Sequence, residues 1–409
     1  MIIFVVSTQH IMQNLFRYSS GLVSETNLRF TRYLFNQINW NDRLIGITGA
    51  RGIGKTTLLL QKIKHSYGNN QDALYVSLDN FYFLKKSLFE LAEEFSINGG
   101  KYLFIDEVHR YPTWSTEIKS IYDTFQNLSI VFSGSSALQI LKAEGDLSRR
   151  ASMYKLGSMS LREYIQLADK GTFESYSITE LLDNHIDVAR EITKSIQPIP
   201  LFREYLKGGA YPFYVGSSAT FHQRLLSTVN VIIENDLMAI EHFSYSTLVH
   251  IRRLLSFITD SVPFKPNISE LSRKTGISRD ILLKLIDLLE KSELLISLRQ
   301  DSSPTGYLTK PEKIYLNNTA LQYSLSLNQN PETGTLRETF FANQLKQNHR
   351  VTIPERGDFL IDNRYTFEVG GKNKTNRQIA DISNAYVVQD DIEIGFRKII
   401  PLWLLGFLY

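Results

Sequence analysis

The sequence predicts an α/β protein: a parallel sheet flanked by helices, then helical segments, then a small α/β module. Two observations carry this. Four apolar runs, at 44–48, 73–78, 101–105 and 129–133, alternate with segments of helical periodicity, and strands buried on both faces of a parallel sheet read as such runs. Each run ends in glycine, acidic or hydroxyl residues, as expected where ligands meet the carboxyl ends of strands in an open α/β sheet.

Totals bound the rest. At 409 residues, two to four domains are expected. Hydrophobic residues make up 43% and aromatics 12%, enough for real cores. The net charge of +3 neither demands nor excludes nucleic acid. With no cysteine, disulfides, thiolate metal sites and thiol nucleophiles are excluded. The Ile2–Val6 run and the 402–408 run are each too short to span a bilayer, so a soluble, cytoplasmic protein without a membrane partner is expected. The second methionine, Met12, leaves a later start open.

In chain order, 24–36 reads as a surface helix leading into the first strand. After that strand comes GARGIGKTT, in which Gly49, Gly54, Lys55 and Thr56 fill the pattern G-x-x-x-x-G-K-[ST]. Strand before and helix after are the setting this phosphate-cradling loop needs. Backbone amides of Gly49, Ala50, Arg51, Gly52, Ile53, Gly54, Lys55, Thr56 and Thr57 would wrap phosphate oxygens at a helix N-terminus. Lys55 would reach the β- and γ-phosphates, and Thr56 would hold Mg²⁺.

A second strand (73–79) and a helix (84–95) follow, then the run 101–105 ending in Asp106 and Glu107. Asp106 would complete the Mg²⁺ shell and Glu107 would polarise the attacking water. His109 reads as a loop or packing residue. Trp114, Ile118, Ile121, Tyr122 and Phe125 share one helical face and read as core. The fourth strand runs into Ser133-Gly134-Ser135-Ser136, so Ser135, or Ser133 after it, would face the γ-phosphate unless the stretch is only a turn. Arg149-Arg150 either supplies a guanidinium to the phosphates, in cis or to a neighbouring subunit, or is a solvated pair.

Helices at 161–169, 178–196 and 229–243 form a lid-like part, with Gly208-Gly209 and Pro212 marking a corner. Residues 268–275, Gly276 and 278–290 read as a helix-turn-helix capped by Ser278. Ile281, Leu282, Leu285, Leu288 and Leu289 form its buried stripe, and 294–298 follows as a wing-like strand. Its cations Arg273, Lys274, Arg279, Lys284 and Lys291 are matched by Glu270, Asp280, Asp287, Glu290 and Glu293. Because phosphate affinity needs uncompensated cations, a packing or protein-binding role is favoured over groove reading of DNA. Near the C-terminus, Glu338 on a helix, Asp358 after Gly357 and Glu368 on a strand, with Lys372 and Gln378 beyond, resemble a metal-dependent nuclease constellation. The usual lysine slot, two residues after the Glu, holds Gly370 here. Either a working nuclease or an inactive nuclease-like module fits. The run 402–408 is expected as a buried final strand.

The strings GARGIGKTTLLLQ, YLFIDEVHRYPTW, VFSGSSALQ, LSRRASMYKLGSMSLREY and YLKGGAYPFY resemble a family of predicted bacterial and archaeal AAA+ ATPases with a C-terminal domain of unknown function, similar to the restriction-endonuclease-like fold. The resemblance covers nearly the whole chain. It implies an AAA-type ATPase domain over 1–158, a helical lid over 159–248, a winged helix over 249–327 and a nuclease-like domain over 328–409. It also implies ATP rather than GTP, Ser135 as the sensor-like position, and Arg149 or Arg150 as the arginine that follows. The expected function is Mg²⁺-dependent ATP hydrolysis whose nucleotide state orients the C-terminal modules. An ATP-gated DNA nuclease and a non-hydrolysing ATP-dependent regulator are the alternatives, with DNA, a protein partner or further copies of the chain as possible partners.

Overall fold

The computed structural model describes residues 2–68, 70–134, 147, 149–237, 245–260, 266–300, 310–326 and 330–409. The chain divides into two compact units, Met1–Gly157 and Ser158–Tyr409. The segments expected as lid, winged helix and nuclease-like domain all fall in the second. Among the described residues no helix is long and apolar enough to cross a membrane.

The first unit is built on a five-stranded sheet in the order β2-β3-β4-β1-β5, all pairs parallel. The strands are β1 (Leu44–Thr48), β2 (Ala73–Ser77), β3 (Tyr102–Asp106), β4 (Ser129–Gly134) and β5 (Ser152–Lys155). The fifth was not legible: it is short and only half-buried, so it lacks the unbroken apolar run that marks the others. Helices α3 (Lys55–Ser66), α4 (Leu88–Ile97) and α5 (Trp114–Thr124) connect the strands. Trp114, Ile118 and Ile121 lie in the core as expected, with Tyr122 and Phe125 packed against it.

The N-terminal segment differs from expectation. Helix α1 (Ile2–Glu25) precedes the sheet and ends where a helix was expected to begin, and only Leu34–Gln37 (α2) is helical beyond it. Met12, Leu15, Ser19 and Val23 are buried, at the spacing of one helix face. The Ser19 hydroxyl accepts the Tyr75 N–H at 3.1 Å, which satisfies a donor of the outermost strand β2. Residues 26–33 stay irregular because their polar groups are used elsewhere. The carbonyls of Asn27 and Phe30 accept from Gln61 Nε2 (2.8 and 2.7 Å), and those of Ser24 and Thr26 accept from Lys64.

In the second unit, helices α6 (Leu161–Leu167), α7 (Ile178–Thr193) and α8 (Pro198–Gly208) come first. Gly208 and Gly209 allow close packing rather than a free hinge, since a Cβ would stand 2.3 Å from the Tyr214 and Tyr205 rings respectively. The helix expected at 229–243 is instead the end of α9 (Ser218–Val231) and a wider turn at Ile232–Asp236; 238–243 lies outside the described residues. After α10 (Tyr245–Asp260) comes a helix-turn-helix, α11 (Ile268–Thr275) and α12 (Arg279–Lys291), turning at Gly276 with φ +73°. Leu282, Leu285, Leu288 and Leu289 are buried, but Ile281 is 47% exposed. Ser278 stands at the N-cap without a side-chain capping bond. Strands β6 (Leu295–Leu298) and β7 (Lys313–Leu316) then form an antiparallel pair.

Beyond α13 (Thr319–Leu325) and α14 (Thr333–Leu345), a five-stranded mixed sheet closes the unit. Its order is β12-β11-β10-β9-β8: β8 (Val351–Thr352), β9 (Phe359–Ile361) and β10 (Tyr365–Gly370) are antiparallel, and β11 (Ala385–Gln389) and β12 (Ile399–Pro401) continue parallel. Phe341 of α14 packs on Phe359 and Phe367. The final apolar run is not a strand but a buried 3₁₀ helix, Leu402–Phe407. A short apolar run buried on all sides has no periodicity to separate the two.

Candidate nucleotide site at the carboxyl edge of the first sheet

The loop between β1 and α3 is shaped by its glycines. Gly49, Gly52 and Gly54 have φ of +151°, +85° and +99°, values that disfavour a side chain. At Gly49 a Cβ would also lie 2.3 Å from the Leu156 carbonyl oxygen and 2.6 Å from Ile53. A backbone oxygen pinned beside β1 by the Leu156 N–H to Thr48 bond (2.8 Å) cannot yield. Gly49→Ala is therefore expected to cost about 1–3 kcal/mol, read as a lowered urea midpoint of the first unit; an unchanged midpoint would show that the loop can shift.

Helix α3 starts at Lys55 with no side-chain cap and no acid in its first turn, which leaves its N-terminal N–H groups and positive dipole end to an anion. Lys55 is buried, and its ammonium donates to the carbonyls of Gly49 (2.8 Å) and Ala50 (2.7 Å). The cation thus holds the loop around itself; phosphate oxygens would take over these bonds.

Asp106 is the centre of the site. It is 2% exposed and accepts from Thr56 Oγ1 (2.5 Å), Tyr75 Oη (3.0 Å), the Glu107 N–H (2.9 Å) and the Ser133 hydroxyl. Burial, then the Asp106 carboxylate, holds the Tyr75 phenol far above its ordinary pKa, so it remains a donor. The Thr56–Asp106 contact joins the loop to the end of β3. Mg²⁺ is bound in such sites through one or two carboxylates plus phosphates and waters, and this hydroxyl–carboxylate pair fits that donor set.

Glu107 follows in a left-handed conformation, φ +53°. Non-glycine residues held there often mark functional sites. Its Oε2 lies 3.3 Å from His109 Nε2, whose ring is buried while the Glu107 side chain keeps 21% exposure. His109 is thus a packed residue, as expected, that also orients the carboxylate.

Other expectations fall differently. Ser135 lies outside the described residues, and Ser133, the second choice, is bound to Asp106. Arg150 does not face the loop in cis. It makes a two-pronged bond to Asp123 (2.9 and 3.0 Å), just upstream of β5, whose first residue, Ser152, pairs with Ile45 at the start of β1. That is the amino edge of the sheet, opposite the loop. Arg149 adjoins it and is exposed. Sequence reading missed Arg32: it is 3% exposed and donates to the carbonyls of Ile53 and Gly157, the latter at 2.8 Å. It braces the loop's far side and carries no local motif that could have flagged it.

In the second unit, Glu338, Asp358 and Glu368 do converge, but on lysines. Lys313 of β7 lies 3.3 Å from Glu338 and 3.6 Å from Asp358. Lys374 lies 2.7 Å from Glu368 and 3.8 Å from Asp358. Burial works against the Lys374 charge, but Glu368, Asp358 and Glu338 outweigh it and raise its pKa. Lys374 replaces the expected Lys372, which is exposed, as is Gln378. Among the described residues no group of three or more His, Cys, Asp or Glu is arranged to hold a metal ion. Removing one partner of a buried ion cluster leaves the others uncompensated. Lys313→Met should lower unfolding stability by about 3 kcal/mol, with partial recovery when Glu338→Gln is added. No loss would mean that these carboxylates are not held by Lys313.

Loop, strand-end acid pair and parallel sheet define a P-loop domain, and residues 41–165 match the family model of an AAA domain: the first unit is a P-loop domain of AAA type. Residues 199–332 match a domain of unknown function (DUF8612). Over 406 residues the chain is 27% identical to the uncharacterized protein MJ1637 of Methanocaldococcus jannaschii, covering 90% of this chain and 85% of that one. Among solved structures it is similar to the Walker-type ATPase PABY2304 of Pyrococcus abyssi, with 12% identity, TM-score 0.39, and 75% of this chain and 94% of that chain covered. It is also similar to AMPPCP-bound DnaA from Aquifex aeolicus, with 17% identity, TM-score 0.27, and 63% and 84% covered.

Proposed function

We propose that the chain binds ATP in the Gly49–Thr57 loop and hydrolyses it with Mg²⁺. The observation that carries this is the 2.5 Å contact between Thr56 Oγ1 and Asp106 Oδ2, which puts one hydroxyl of the phosphate loop and one strand-end carboxylate at a single point. Mg²⁺ held there would neutralise charge on the β- and γ-phosphates. Lys55 moves from its carbonyl partners to phosphate oxygens, and the α3 N-terminus faces the same anion. Glu107, steadied by His109, accepts hydrogen-bond donation from the attacking water and polarises it. Choosing ATP over GTP rests on the family resemblance. Release of inorganic phosphate from ATP, with and without Mg²⁺, tests the reading. Binding without release would favour the non-hydrolysing regulator. Small-angle scattering of apo, ADP and non-hydrolysable-ATP forms tests whether nucleotide state orients the C-terminal modules; superimposable profiles would reject that coupling.

One observation favours a second reading, an ATP-gated nuclease. Glu368 Oε2 is buried and has no hydrogen-bond partner among the described residues, so a divalent cation displacing Lys374 would find an acceptor. Plasmid cleavage with Mn²⁺ that disappears in Glu368→Ala would support it. Equal, absent cleavage in both proteins would leave the lysine-bridged cluster as framework.

A further inference from the structure

A cavity of about 580 Å³ in the second unit meets the sites above only at Lys374. It lies among the segment 372–382, strands β11 and β12 and the connection at 396–398, and its size suits a small organic ligand. The floor is apolar: Ile379, Ala385 and Val387 are buried together, with Ile382 and Ile399 packed against them. The rim is cationic. Lys372, Lys374, Arg397 and Lys398 line it, and no Asp or Glu does among the described residues. The whole chain sets 45 Lys and Arg against 42 Asp and Glu, so this lining is a local departure that favours an anion.

The individual partners sharpen the chemistry. Lys374 is held by Glu368 at 2.7 Å and has little charge to spare. Lys398 Nζ donates to a neutral group, the Ser383 carbonyl. The Arg397 guanidinium stands over the Phe396 ring at 5.0 Å. Phe396 is 62% exposed at the cavity, an aromatic face that no core claims. The connection carrying these two residues is pinned, because the Arg397 carbonyl meets His185 Nε2 at 2.8 Å. Amides of Asn373, Asn376 and Gln389 complete the lining.

We propose that this cavity binds a nucleotide unit, with the base against Phe396 and the apolar floor and its phosphate on Lys372, Arg397 and Lys398. An aromatic face, cations and amide donors and acceptors within one pocket match a planar heterocycle carrying a phosphate better than an acidic peptide, which has no plane to stack. A free nucleotide and a nucleotide within a single strand present this same chemistry. The site is independent of ATP turnover at Lys55.

The test is fluorescence anisotropy of the full chain with a labelled oligothymidylate, with thymidine monophosphate as competitor. That competitor lacks the β- and γ-phosphates that Lys55 would engage. Lys372, Phe396 and Lys398 are exposed, so their variants should keep the wild-type melting temperature. Phe396→Ala should weaken binding about 5- to 100-fold. Lys372→Glu with Lys398→Glu should weaken it by at least about 10-fold and flatten the salt dependence by roughly two counterions. Strand binding that the monophosphate does not displace assigns a strand; displacement at micromolar concentration assigns a free nucleotide. Failure of both probes to bind, or binding that neither set of substitutions changes, overturns the proposal, as does a polyglutamate peptide that binds better than either.

Discussion

Replacing Glu107 by glutamine is expected to lower ATP turnover by about 10²–10⁴-fold while nucleotide affinity stays within about threefold, since this is the range over which a positioned general base acts. The amide is nearly isosteric and tolerates the left-handed backbone at φ +53° about as well as the carboxylate. It can still meet His109, 3.3 Å from the present Oε2, through its own oxygen. What it loses is the capacity to draw a proton from water. Phosphate release and binding of a fluorescent ATP analogue, measured side by side, separate the two quantities. Turnover equal to wild type would remove Glu107 from the reaction and point to another base.

Lys55→Ala should reduce ATP affinity by about 10²–10³-fold and abolish measurable turnover, the scale expected when one preorganised charged donor is lost from a phosphate site. The ammonium is buried and bonded to two carbonyls of its own loop, Gly49 and Ala50, so the substitution also removes two hydrogen bonds that hold the loop. A fall of about 1–3 kcal/mol in the stability of the nucleotide-free protein should accompany it. Calorimetric titration with ATP, alongside urea unfolding of the same preparation, distinguishes lost affinity from lost fold. A folded variant that still binds ATP within about threefold of wild type would refute the phosphate role of the loop.

The candidate site was legible where the proposed function would force local chemistry. A loop that must approach phosphates needs glycines at set intervals, a lysine and a hydroxyl, and these are contiguous, so Gly49, Gly54, Lys55 and Thr56 could be read directly. Asp106 and Glu107 were readable because they end an apolar run. Arg32 was not, since its partners Ile53 and Gly157 are distant in sequence and nothing near it is unusual. Tyr75 looked like any apolar strand residue; only the pairing of β2 with β3 puts its hydroxyl on Asp106. Whether Arg150 faces the loop in cis, serves a neighbouring subunit or is solvated stayed open in the sequence, because its motif says nothing about which edge of the sheet it occupies; the register of β5 removes the first.

By itself the sequence determined the phosphate loop, the acid pair, four strands of the first sheet and the helix-turn-helix, because each is encoded by side chains within a few residues of one another. Tertiary structure alone decided that β5 joins the first sheet, that His109 steadies Glu107, and that Lys313 and Lys374 stand among the C-terminal acids. It also left Phe396 exposed beside a cavity with a cationic rim. These outcomes depend on strand pairing and on groups brought together from distant segments. The physical reason is that hydrogen bonds and ion pairs act over a few ångströms in space, whatever their separation along the chain.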